Sequence, residues 1–185
     1  MKVAPTLRQA TPSVPPLLLH ERKFVIDGTN ILLLHGRAYP ELRYLLALCA
    51  CIDNNGGDFV CFFDANTRYL IEEHRPDQLN AFDHVISEEP WAGRLQIVAS
   101  GTEADESILK AARIDRSEVI SNDKFRSRAK KNRWIWRRRH PVQVVDGCLV
   151  IRSLEASIAV FATADEYLLG SSNRALRESQ LGTGQ

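Results

Sequence analysis

Four aspartates stand at or just beyond the ends of apolar, β-prone runs. Phe24-Val25-Ile26 ends at Asp27, and Phe59-Val60-Cys61-Phe62-Phe63 ends at Asp64. Glu118-Val119-Ile120 closes at Ser121-Asn122-Asp123, and Leu95-Gln96-Ile97-Val98 runs through a short loop into a helix whose first turn carries Asp105. Any one of them could be an ordinary turn or cap residue, since Asp bonds its own backbone in turns. Four such residues at one end of four strands demand more. In an open α/β sheet, ligands bind outside the carboxyl ends of the strands. Carboxylates gathered there repel, and they persist only if a cation neutralises them or protons are taken up. An all-oxygen set completed by waters suits Mg²⁺ or Mn²⁺. Such a centre can polarise a phosphodiester and generate hydroxide from water. Asp27 and Asp123 are the strongest members, because Thr29, Asn30, Ser121 and Asn122 put hydroxyls and amides beside them. Asp64 is the weakest.

The elements that must position these groups alternate. A strand at 24–26 is followed by a helix over 40–54, with Leu42, Leu45, Leu46, Leu48 and Cys49 as its apolar face and Asn54-Asn55-Gly56-Gly57 as its stop. Strands follow at 59–63, 95–98 and 118–120, with helical pieces over 66–86, broken near Pro76. A helix from Thr102 to about Arg113 is expected, with Thr102 as N-cap and Asp105 at the third helical position. Beyond Asp123 the pattern predicts a basic helix, then a strand or a hairpin turning at Asp146-Gly147, then a helix over 153–170. Strands that are apolar throughout and alternate with helices predict an α/β fold, with a mainly parallel sheet covered on both faces.

The chain has 185 residues, 44% of them hydrophobic, which suits one domain with a sizeable core. The expected organisation is an arm over 1–21, a domain over 22–170 and a tail over 171–185. No apolar run approaches the roughly 20 residues that span a bilayer. Leu17-Leu18-Leu19, interrupted upstream by Pro12, Pro15 and Pro16, is too short for a signal sequence. A cytoplasmic location with no membrane partner is the expectation. Cys49, Cys51, Cys61 and Cys148 lack zinc or redox spacing and read as buried reduced thiols.

Phe24-Val25-Ile26-Asp27-Gly28-Thr29-Asn30 resembles the opening I-D-G-[ST]-N motif of NYN-domain ribonucleases, especially the Regnase (CCCH zinc-finger ribonuclease) branch. Val119-Ile120-Ser121-Asn122-Asp123-Lys124-Phe125-Arg126 resembles that branch's V-S-N-D-x-[YF]-R-D. Asp105-Glu106-Ser107-Ile108 falls where those proteins carry D-D-R-F. The resemblance covers roughly residues 23–152 and implies a PIN-like, Rossmann-like three-layer fold. It implies Mg²⁺-dependent cleavage of single-stranded RNA, leaving a 5′-phosphate and a 3′-hydroxyl. Asp27, Asp105 and Asp123 would hold metal, with Glu106 or Asp64 in support, and Asn30 would support the site. Glu106 replaces the second Asp of D-D and keeps its charge. Ser127 replaces the family's final Asp and removes one. The zinc finger is absent. Many PIN-like nucleases pair, so a homodimer is open.

Lys124 to Arg139 reads KFRSRAKKNRWIWRRR. Nine of these sixteen residues are Lys or Arg and none is acidic, so in a chain of net charge +1 the remainder carries −8. Such a run could be a solvated face, but it begins one residue after a proposed metal ligand. Phosphate contacts from it would give salt-dependent affinity. Arg126, Lys130, Arg133 and Arg137 fall near one helical face. Trp134 and Trp136 are interleaved with the charges; one of them, with Trp134 put first, could stack an unpaired base, and at least one more is expected to pack into the core. His35 follows the first motif and could touch substrate, although a loop histidine with no role is the commoner case; His140 has no partner legible in the sequence. Three rivals remain in view. A haloacid-dehalogenase phosphatase would need a nucleophilic Asp where Val25 stands, and an aliphatic side chain forms no phosphoaspartate. A catalytically impaired RNA-binding module would use the same basic segment, and Ser127 is the residue that favours it. A DNA flap nuclease would need a helical arch of which the sequence gives no sign.

Overall fold

The computed structural model describes residues 19–88 and 90–160. The expected tail and most of the expected arm lie outside the described residues. Five parallel strands form the main sheet: β1 (Lys23–Asp27), β2 (Asp58–Phe63), β3 (Leu95–Ile97), β4 (Glu118–Ile120) and β5 (Arg139–His140), in the order β3-β2-β1-β4-β5. The chain first steps outward from β1 to β3, then returns to the other side of β1 for β4. The order therefore reverses between β1 and β4, which is where such sheets open a crevice.

Strand alternation divides the core into two layers. Phe24, Ile26, Phe59, Cys61, Phe63 and Ile120 face one cluster. That cluster is covered by α1 (Gly28–Leu32), α2 (Leu42–Asn54), α3 (Thr67–His74) and α4 (Leu79–Ser87). Val25 and Val119 face the other cluster, with Ile108, Leu109 and Ala112 of α5 (Ala104–Ile114) and Ile135 of α7 (Ile135–Arg138). Both faces of β1 are thus dry, which explains its unbroken apolar run. Leu19, expected in the arm, is 2% exposed and packs into the larger cluster.

Three expectations are corrected. The basic run after Asp123 is not one helix but two single turns, α6 (Arg126–Ala129) and α7. Phe125 precedes α6 in the left-handed region with its side chain 1% exposed, so burying that ring sets the path and breaks the helix. The expected hairpin exists: β6 (Gln143–Val145) and β7 (Cys148–Ile151) turn through Asp146 and Gly147, both at positive φ, as a two-residue hairpin requires. It is followed not by a helix over 153–170 but by a 3₁₀ turn at Arg152–Leu154 and β8 (Ala156–Ala159), antiparallel to β7. Residues 161–170 lie outside the described residues. Finally, α5 is capped by the extended Glu103 rather than by Thr102, without a side-chain bond, and Asp105 is its second residue.

Candidate active site

Each residue from Asp27 to Asn30 makes a different long-range connection. Asp27 ends β1 and caps α1, accepting from the Asn30 backbone N–H through Oδ1 at 3.2 Å. Its Oδ2 accepts from the Ser121 hydroxyl at 2.7 Å. Gly28 lets α1 lie against β2: a Cβ there would sit 2.5 Å from Phe63 Cε1 and 2.6 Å from Cys61 Sγ. The Thr29 hydroxyl accepts from the Asp64 N–H at 2.8 Å and also bonds Thr67 at 2.7 Å. Asn30 Oδ1 accepts from the Asn122 N–H at 2.8 Å. The motif therefore fixes the loops after β2 and β4, and with them Asp64 and Asp123.

The loop after β4 is equally determined. The Ser121 hydroxyl, while donating to Asp27, accepts from the Asp123 N–H at 3.0 Å, and Asp123 Oδ1 accepts from the Phe125 N–H at 3.1 Å. The Asn122 side chain exchanges two bonds with the Val142 backbone, and Arg139 donates to the Ser121 carbonyl at 3.0 Å. These bonds tie the exposed Asn122 loop to the start of the next segment at Val142.

The electrostatics follow from this gathering. Burial pushes the Asp27 carboxyl up from 3.8 to about 7, against the pull of the Ser121 and Asn30 hydrogen bonds and with the charges of Asp105 and Asp64 adding to the rise. Burial and then the Asp123 charge raise Asp105 from 3.8 to about 6, with Arg128 opposing and Asp64 and Glu103 adding. The charges of Asp105 and Asp64 thus act on Asp27, and those of Asp123 and Asp64 on Asp105. Among the described residues, no three Asp, Glu, His or Cys side chains form a ready-made metal shell. The donor chemistry nevertheless fits a hard divalent cation: every candidate ligand is a carboxylate, their mutual repulsion favours a positive charge between them, and Mg²⁺ keeps several waters.

Other predicted site residues lie elsewhere. Glu106 is exposed, 4.0 Å from Arg128, which also pairs with Glu103 at 2.6 Å. Ser127 is exposed. Arg126, Lys130 and Arg133 share one cleft, and Arg137 is exposed outside it. Trp134 is a correction: it packs partly buried against the smaller core cluster, with Arg138 5.5 Å over its ring, while Trp136 is 71% exposed. His140 is a buried strut that bonds Ser153 at 2.8 Å and Glu118 at 3.0 Å, and His35 bonds Tyr44 at 2.6 Å. Sequence reasoning gave Ser121 and Thr29 only a general orienting role. Their presence in the motifs was the signal, but their partners lie far along the chain.

An acidic cluster at the switch point of a parallel sheet, organised by this motif, defines a PIN-like NYN nuclease domain. The model of the Zc3h12a-like ribonuclease NYN domain matches residues 20–146, and the chain belongs to that family. Among solved structures it is similar to the crystal structure of nuclear proteinaceous RNase P 2 from A. thaliana. That match has a TM-score of 0.56 and 19% identity, covering 71% of this chain and 29% of that one, and it is a likeness of fold. No curated protein matches.

Proposed function

We propose that this chain is a divalent-metal-dependent endoribonuclease acting on single-stranded RNA. Asp27, Asp64, Asp105 and Asp123 would hold Mg²⁺ or Mn²⁺, with Asn30 supporting the site. One observation carries the reading: the charges of Asp64 and Asp105 bear on Asp27, while those of Asp64 and Asp123 bear on Asp105, at the sheet's switch point. Membership of a ribonuclease family supports the reaction class. A bound divalent ion would supply hydroxide near neutral pH and offset charge on the phosphodiester and its departing oxygen.

The chain's own residues do the rest. Ser121 and the Asn30 backbone each hold one oxygen of Asp27, fixing the plane of its carboxyl group. Thr29 and Asn30 fix the backbones that carry Asp64 and Asp123. Lys124, the residue after Asp123, and Arg126 would hold phosphates of the strand.

The test is cleavage of unstructured RNA by the purified chain in Mg²⁺, Mn²⁺ and EDTA, beside Asp27→Asn. Cleavage in metal, lost in EDTA and in the variant while RNA binding persists, is the expected result. Full activity of Asp27→Asn would overturn the site. Binding without cleavage in either metal would favour an RNA-binding module instead, a reading supported by Ser127 and by the pairing of Glu106 with Arg128.

A further inference from the structure

Two clefts open beside Trp136. One, of about 400 Å³, is lined by Lys124, Arg126, Trp136 and Arg139. The other, of about 440 Å³, is lined by Arg126, Lys130, Arg133 and Trp136. Trp136 and Arg126 belong to both, and among the described residues the rest of the lining is Lys or Arg. The single turn α7 produces this arrangement: Ile135 is fully buried, so its neighbour Trp136 is turned out to solvent. The first cleft adjoins the acidic site, because Lys124 follows Asp123 and Arg139 donates to the Ser121 carbonyl. An indole held out between cations suits a flat ligand flanked by negative charges better than it suits water.

We infer that Trp136 is a stacking post for one unpaired base of the RNA, with the phosphates on either side of that nucleotide seated in the two basic clefts. The inference rests on RNA as the substrate and names how the strand is gripped. A base inside a duplex has both faces covered by its neighbours, so the post takes only a base that is free to unstack. Selectivity for unpaired RNA then comes from the basic segment, one cleft away from the carboxylates. Stacking on an aromatic side chain strengthens binding by roughly 5- to 150-fold per base, whatever the base, because every base has a π-face.

The experiment uses the full chain in EDTA, so that binding is read without cleavage. The probes are a short unstructured RNA, the same oligomer with abasic positions, and a duplex of equal length. The chain has three tryptophans; Trp91 is 6% exposed and Trp134 is half-buried, so quenching of emission on binding reports chiefly Trp136. Wild type is expected to bind the intact strand about tenfold more tightly than the abasic one or the duplex, with quenching. Trp136→Ala should bind intact and abasic strands alike, and Trp136→Phe should restore most of the difference. Trp136→Ala that discriminates like wild type, or wild type that binds intact and abasic strands equally, overturns the post and leaves the ribonuclease reading standing. Wild type that binds no RNA overturns both.

Discussion

The Ser121 hydroxyl donates to Asp27 Oδ2 at 2.7 Å, joining two residues 94 positions apart across the gap where the sheet order reverses. Ser121→Ala removes the strongest hydrogen bond holding Asp27 ionised and leaves the Asp123 N–H without its acceptor. The loss of stability should be about 1–3 kcal/mol. The acid limb of the cleavage pH profile should move to higher pH, because Asp27 becomes harder to ionise. Chemical denaturation and a pH–rate profile in Mg²⁺ check both; an unmoved limb would separate Ser121 from Asp27.

The raised Asp27 carboxyl ties stability to pH. The folded state holds its proton up to about pH 7, whereas the unfolded chain releases it near 3.8. Between those values the folded state binds more protons, so unfolding free energy falls as pH rises. This contribution is whole below 3.8 and lost above about 7. It amounts to about 4 kcal/mol. Asp105, raised to about 6, acts in the same direction. Metal-free Asp27→Asn should therefore melt higher than wild type at pH 8 and converge with it near pH 4. Added Mg²⁺ or Mn²⁺ should raise the melting temperature of wild type at pH 8 and that of the variant much less. Parallel melting curves across pH would refute the assignment.

Gly28→Ala places a methyl group 2.5 Å from the Phe63 ring and 2.6 Å from the Cys61 sulfur. Both neighbours are completely buried, so neither yields cheaply. A loss of about 1–3 kcal/mol is expected, with a larger drop in cleavage than in RNA binding, because the displaced turn carries Asp27. Denaturation midpoints with kcat and binding measured side by side would show whether the two separate.

Arg126 lines both basic clefts and Lys130 lines one of them. Changing both to Ala should weaken binding of single-stranded RNA and flatten the plot of log affinity against log salt by about 0.7 per charge removed. The three arginines from 137 to 139 are poorer probes of the surface, since Arg138 covers Trp134 and Arg139 holds the Ser121 carbonyl. Titrations at several salt concentrations provide the slope.

The sheet was legible because β1 is buried on both faces and β2 is buried on one and half-buried on the other, so Phe24-Val25-Ile26 and Phe59 to Phe63 read as unbroken apolar runs that end in aspartate. Which carboxylates meet follows from strand order, and local pattern reveals no strand order. Asp64, the weakest member on sequence grounds, bears on both Asp27 and Asp105. The end of the chain misled for a related reason. Ala156–Ala159 is four residues long, too short to declare a period, and its pairing with β7 decides its state. In the basic run, the choice between Trp134 and Trp136 turned on Phe125 and Ile135, whose burial sets the phase of two single turns.

The Cys61 thiol forms the floor of the turn that carries Asp27. It is completely buried, and burial holds it well above the usual thiol range. No alkylating reagent can reach that sulfur while α1 rests on β2. Its labelling rate in the intact protein is therefore a clock for the opening of this turn, one that needs no substrate and no engineered residue. Cys148, only partly buried, supplies a faster internal standard in the same molecule.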